Sequence, residues 1–90
     1  MMVWGILKRP VREFNEYDVV ELAKVERPAA SYDGWKLNCA APTVGERGTI
    51  VHMYERNGEW WYVVEGPMVG NRPTWLGDFR ADEIRIPPSD

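Results

Sequence analysis

Apolar and polar positions in this chain alternate in short runs separated by turn residues. The strongest run is Thr49-Ile50-Val51-His52-Met53-Tyr54, β-branched and aromatic throughout, which predicts a strand. A second run, Glu59–Glu65 (Glu-Trp-Trp-Tyr-Val-Val-Glu), follows across Glu55-Arg56-Asn57-Gly58. Asn-Gly between two strand patterns predicts a tight hairpin, because both residues tolerate the positive φ angles of that turn. Upstream, Tyr17–Ala23 places Val20 and Leu22 on one face. A helix over Val19–Lys24 competes, but Val-Val favours a strand and Pro28 cuts the segment short. Downstream, Arg72–Leu76 predicts a weaker strand, with Pro73 at an edge or a strand start. Gly77–Glu83 reads as a turn or a single 3₁₀ turn, and Ile84-Arg85-Ile86 as a last strand ended by Pro87-Pro88. Val44–Gly48 predicts a turn whose two glycines supply positive φ, and Gly66–Asn71 a second, longer turn.

Five short strands spaced by turn signals predict an all-β domain, a small five-stranded barrel, which also hides strand edges. Residues 1–16, with Lys8, Arg9, Pro10 and Arg12, form an N-terminal arm or edge strand; residues 17–86 form the barrel; residues 87–90 are a tail. Residues 25–43 make a long first loop. A loop of that length is functional or packs down, and Tyr32, Trp35 and Leu37 give it the means to pack.

The runs Tyr17–Leu22, Val44–Val51, Trp61–Glu65 and Asp82–Arg85 together resemble a family of small bacterial proteins catalogued as a domain of unknown function, with an SH3-like barrel fold. The shared pattern is Asp-Val-Val-x-Leu, then Gly-x-x-Gly-Thr-Ile-Val, then Tyr-x-Val-Glu, then Asp-x-Ile-Arg, over roughly residues 14–86. The resemblance implies an SH3-like barrel and no activity, cofactor or catalytic residue. The chain departs from the pattern in its longer first loop, in Gly66 where the family tends to have Phe, and in its extra Trp60-Trp61 pair and Trp75. The Gly-x-x-Gly turn recurs in barrels of the KOW type found in ribosomal and transcription proteins, so it speaks to fold before function.

Composition adds limits. Ninety residues suit one domain with one core, and 44% apolar residues suffice to offset chain entropy. The net charge of −3 weighs against sequence-independent nucleic-acid binding, which needs a cationic surface. Cys39 is the only cysteine, so no internal disulfide forms, as in a reducing cytoplasm. The apolar run before Lys8 is too short for a signal peptide and no run reaches the length of a membrane span. The expectation is a soluble, cytoplasmic protein.

Candidate chemistry is thin. Cys39 and His52 are single, and a nucleophilic pair would need them within hydrogen-bond reach with a third group orienting the ring. Zinc needs more Cys and His ligands than the chain holds, and Asp78, Asp82 and Glu83 lack calcium-loop spacing. Glu55, Glu59 and Glu65 read as solvated strand residues, and neither glycine pair, Gly45–Gly48 nor Gly66–Gly70, ends as a phosphate loop does. The expectation is no enzyme, no metal and no cofactor.

Five Trp, four Tyr and two Phe are the more informative feature. Strand alternation puts Trp60, Tyr62 and Val64 on one face and Trp61, Val63 and Glu65 on the other. One row enters the core; the other is covered by the loop and arm, or meets a partner. A partner-binding patch would combine Tyr32 and Trp35 with Trp61 and Trp75, because Trp and Tyr dominate interface hot spots. The leading reading is therefore a non-enzymatic protein-interaction module or small accessory protein, binding a protein partner or itself. A KOW-like nucleic-acid-binding barrel, with Lys8, Arg9, Arg12 and Arg72 on phosphates, and a small acidic toxin-neutralising protein are the alternatives.

Overall fold

The computed structural model describes residues 12–28 and 40–88. Among them the regular structure is almost all strand: β1 (Val19–Leu22), β2 (Arg47–Arg56), β3 (Glu59–Glu65), β4 (Met68–Val69), β5 (Arg72–Pro73), β6 (Leu76–Arg80) and β7 (Ile84–Arg85). A 3₁₀ turn at Ala81–Glu83 precedes β7. The main sheet is antiparallel in the order β6-β3-β2-β1-β7, and β4 pairs with β5. Its outer strands β6 and β7 do not pair with each other, so the sheet is not closed into a barrel.

Seven strands replace the five expected, but the chain makes five passes. β3 and β6 pair from Trp61 opposite Arg80 to Glu65 opposite Leu76, and Gly66 N–H donates to Trp75 O (2.9 Å). The same register runs on through Met68 opposite Pro73 and Val69 opposite Arg72. β4 and β5 are thus the tip of one long hairpin. The expected six-residue turn at Gly66–Asn71 shrinks to Gly70-Asn71, with Gly70 at φ 64°. The expected turn over Gly77–Glu83 is strand as far as Arg80, because Phe79 opposite Tyr62 carries the ladder and buries its ring.

The hairpin between β2 and β3 forms where Asn57-Gly58 predicts it, both residues at positive φ (53° and 78°). Upstream, β2 departs from simple alternation. Ile50 faces Val64 but His52 faces Val63, so Val51 is an extra residue, a β-bulge. The bulge lets Gly48 and Ile50 point inward before it and turns His52 and Tyr54 outward after it. In the turn before β2, only Gly45 has a positive φ (91°). Gly48 is there for room: a Cβ would sit 2.5 Å from Glu65 O and 2.7 Å from Val64 Cγ1.

The core lies on one side of the sheet: Val20, Leu22, Ile50, Tyr62, Val64, Trp75, Phe79 and Ile84. Phe14, expected in the arm, joins it, edge-on to Tyr62 at 5.3 Å, while Glu13 N–H donates to the Tyr62 hydroxyl (3.1 Å). Phe14 and the Glu13 amide therefore tie this segment to the sheet, while Asn15 and Glu16 stay exposed. Within the described residues no helix is long and apolar enough to cross a membrane.

Candidate functional site

Four residues were expected to make a binding patch. Tyr32 and Trp35 lie outside the described residues. Trp75 is 1% exposed and belongs to the core, so no surface draws on it. Its Nε1–H donates to Glu46 (3.0 Å), whose carboxylate also accepts from Thr43 N and Oγ1. Alternation beside Pro73 gives no signal for which way Trp75 points; the β3–β6 register turns it inward.

Trp61 has a different environment. It is 9% exposed, yet it is not part of the core cluster. It projects from the opposite face of β3, and polar neighbours cover it. Tyr54, directly across on β2, stacks parallel to it (centroids 6.4 Å, 7°). The guanidinium of Arg56 lies 4.9 Å from its centroid and that of Arg27 5.5 Å. Cationic groups over an indole face are attracted by the ring quadrupole. His52, exposed, continues the row by stacking on Tyr54 (6.2 Å, 27°). Of the Trp pair, Trp60 is the more exposed: it leans on the edge of the core, with Arg12 5.7 Å from its ring.

The two arginines on Trp61 are held differently. Arg27 comes from the segment after β1 and grips the buried Glu83 with two bonds, Nε at 3.0 Å and a terminal nitrogen at 3.1 Å. It also donates to the carbonyl of Asp78, while Arg80 N–H donates to Glu83 (2.8 Å). Those two β6 backbone groups face away from β3, on the open edge of the sheet. The Arg27–Glu83 pair therefore satisfies the edge that an unclosed sheet leaves open. Tyr54 is anchored as well, its hydroxyl donating to Asp78 (3.0 Å). Arg56 has no such partner. It sits opposite Glu59 in the β2–β3 register, yet forms no ion pair or hydrogen bond among the described residues; its guanidinium lies over Trp61 instead.

A second charged group lies at the far side of the sheet. Glu21 on β1 is held between Arg47 of β2 (3.4 Å) and Arg85 of β7 (Nε 2.9 Å). Hydrogen bonding from Arg85, opposed by burial and aided by the charges of Arg85 and Arg47, lowers its pKa. Each arginine faces Glu21 in the strand register, so this is a cross-strand clamp that ties three strands together.

His52 is exposed on β2, with its ring on Tyr54, and Cys39 lies outside the described residues. Among the described residues no group of three His, Cys, Asp or Glu could hold a metal ion. The sequence reading missed Tyr54, Arg56 and Arg27. Tyr54 and Arg56 were within reach of it: a two-residue turn at Asn57-Gly58 fixes Tyr54 opposite Trp61 and Arg56 opposite Glu59. Arg27 was not, since its contact with Trp61 crosses the fold.

No protein-family model matches this chain, and neither curated proteins nor solved structures give a significant match.

Proposed function

We propose that this chain is a small non-enzymatic interaction module with an SH3-like arrangement of strands, binding a protein partner through the outward face of β2 and β3. The strand order supports the architectural part. Successive antiparallel passes form a meander, and the last strand returns through a 3₁₀ turn to lie beside the first. The functional part is carried by one observation: Trp61, Tyr54 and Arg56 form an ordered stack on the face turned away from the core, with exposed His52 beside it. Trp, Tyr and Arg are the residues that carry most binding energy at protein interfaces. Held by stacking, they lose little side-chain freedom when a partner arrives.

Binding to a nucleic-acid backbone is the weaker reading. Glu59 and Glu65 share this face with Arg56, as their register shows, and the chain carries net charge −3. The test is affinity capture with the full chain as bait, comparing wild type with the charge-reversed Arg56→Glu and with Arg72→Glu, which alters the remote β5 ribbon. A protein retained by wild type and Arg72→Glu but lost with Arg56→Glu supports the reading. The same proteins retained by all three baits, or nucleic acid as the sole species retained, contradicts it.

A further inference from the structure

Resting on that reading, we infer that the outward face recognises a carboxylate, delivered by an acidic side chain of an extended peptide segment and received by Arg56. Two guanidiniums meet Trp61, and only one is internally neutralised. Arg27 spends its planar fork on Glu83 and on the Asp78 carbonyl. Arg56 holds its guanidinium carbon over the indole and leaves its N–H donors without a protein acceptor among the described residues. A guanidinium has five donors in a rigid fork that matches a carboxylate two bonds at a time. Stacking on an aromatic ring fixes the plane of the fork without using those donors.

Arg56 also passes over a carboxylate within strand-pair reach. Glu59 stands directly opposite it, yet the side chain turns towards Trp61. The charge is thereby presented beside the ring row of Tyr54 and His52 rather than cancelled across the hairpin.

The surroundings select among anions. A phosphate backbone is held by several cations arrayed along it. Among the described residues of this face, Arg80 opposite Trp61 is paired with Asp82 and Glu83, and Arg56 is left between aromatic rings on one side and Glu59 on the other, so a polyanion meets repulsion beside its contact. One carboxylate followed by an apolar or planar side chain meets both parts of the site: the fork of Arg56, then the rings of Tyr54 and His52.

The experiment is selection of random peptides displayed on phage against the immobilised full chain. Wild type is compared with Arg56→Gln, Arg56→Lys, His52→Ala, Tyr54→Ala and Arg12→Gln, all checked for the wild-type far-ultraviolet circular dichroism spectrum. The expected result is a set of binders sharing one Asp or Glu at a fixed position. Their synthetic peptides lose at least about ten-fold in affinity on Arg56→Gln, the value of one charge-assisted contact. Arg56→Lys recovers only part of that loss, because a point charge lacks the fork, and Arg12→Gln changes nothing. Binders that need His52 and Tyr54 but carry no shared acidic residue overturn the carboxylate inference and leave the interaction face standing. No binders to any form, or binders indifferent to Arg56, His52 and Tyr54 alike, overturn both.

Discussion

The indole of Trp75 lies directly over the Cα of Gly66, where any larger residue would place its Cβ. A methyl group at position 66 would overlap the ring carbons and Nε1 of Trp75, the largest fully buried side chain. The two residues are also hydrogen-bonded neighbours in the long hairpin. The smallest residue at position 66 and the largest at position 75 are therefore one feature. The space a side chain at position 66 would fill is taken by one coming from the strand opposite. Gly66→Ala is expected to destabilise the fold by about 2–3 kcal/mol through overpacking. Trp75→Leu costs a similar or larger amount through the cavity it leaves. In the double variant the alanine methyl occupies part of that cavity, so the costs are less than additive. Urea denaturation of the four proteins measures this, and strict additivity would contradict the contact.

Arg27 and Glu83 make the second testable contact. Glu83 is 2% exposed and accepts from Arg27 and from the Arg80 amide. Removing Arg27 leaves a buried carboxylate short of donors and uncovers the carbonyl of Asp78. Arg27→Ala is expected to lower stability by about 2–4 kcal/mol, the cost of breaking a largely buried pair. Amide hydrogen exchange adds a local reading: Arg80 N–H, bonded to Glu83, loses protection first. Equal loss across β1 and β7 would assign the effect to general weakening instead.

How much of this was legible in the chain depends on the range of the contact. The Asn57-Gly58 hairpin and the extent of β3 follow from local signals, since both are set by residues within a few positions of each other. The division of Trp60, Tyr62 and Val64 from Trp61 and Val63 also follows from alternation, and only the Tyr62–Val64 side enters the core fully. β6 was hidden because Gly77-Asp78-Phe79-Arg80 has the composition of a turn. Its strand state comes from pairing with β3, a tertiary effect that overrides propensity. Trp75 was misplaced for the same reason. The cover over Trp61 was illegible in part because Arg27 reaches it from across the fold.

Glu21 gives a dependence on pH. Its folded-state pKa lies below the ordinary value because Arg85 and Arg47 bind the charged form. The clamp therefore contributes stability above the unfolded-state pKa, and that contribution is lost as pH falls through the lower folded-state value. Glu21→Gln is expected to be less stable than wild type at neutral pH, with the gap closing in acid. Denaturant midpoints for both proteins across that range measure it. A gap that stays constant into acid would show that the charge of Glu21 is not what holds β2, β1 and β7 together.

The hairpin turn offers a control on the binding face. Gly58 holds φ 78° with open space around it, so Gly58→Ala is strained by backbone alone. The expected cost is about 1 kcal/mol. Because the turn fixes Tyr54 opposite Trp61, the variant is expected to loosen the stack, changing the near-ultraviolet circular dichroism, and to weaken partner binding. Near-ultraviolet circular dichroism and partner affinity, measured together, check it; undiminished affinity would separate the turn from the face.

The proposed function requires a partner to cover the outward face of β2 and β3. His52 reports on this directly: it is the only histidine in the chain, it is exposed, and it stacks on Tyr54 within that face. Carbethoxylation of His52, followed by mass spectrometry, can be timed for the free chain and for the chain saturated with a captured protein or a selected peptide. The expected result is a clear slowing of modification in the complex, by about ten-fold or more for a ring buried under a partner that is bound most of the time. An unchanged rate at full occupancy would place the partner elsewhere on the molecule and contradict the central claim.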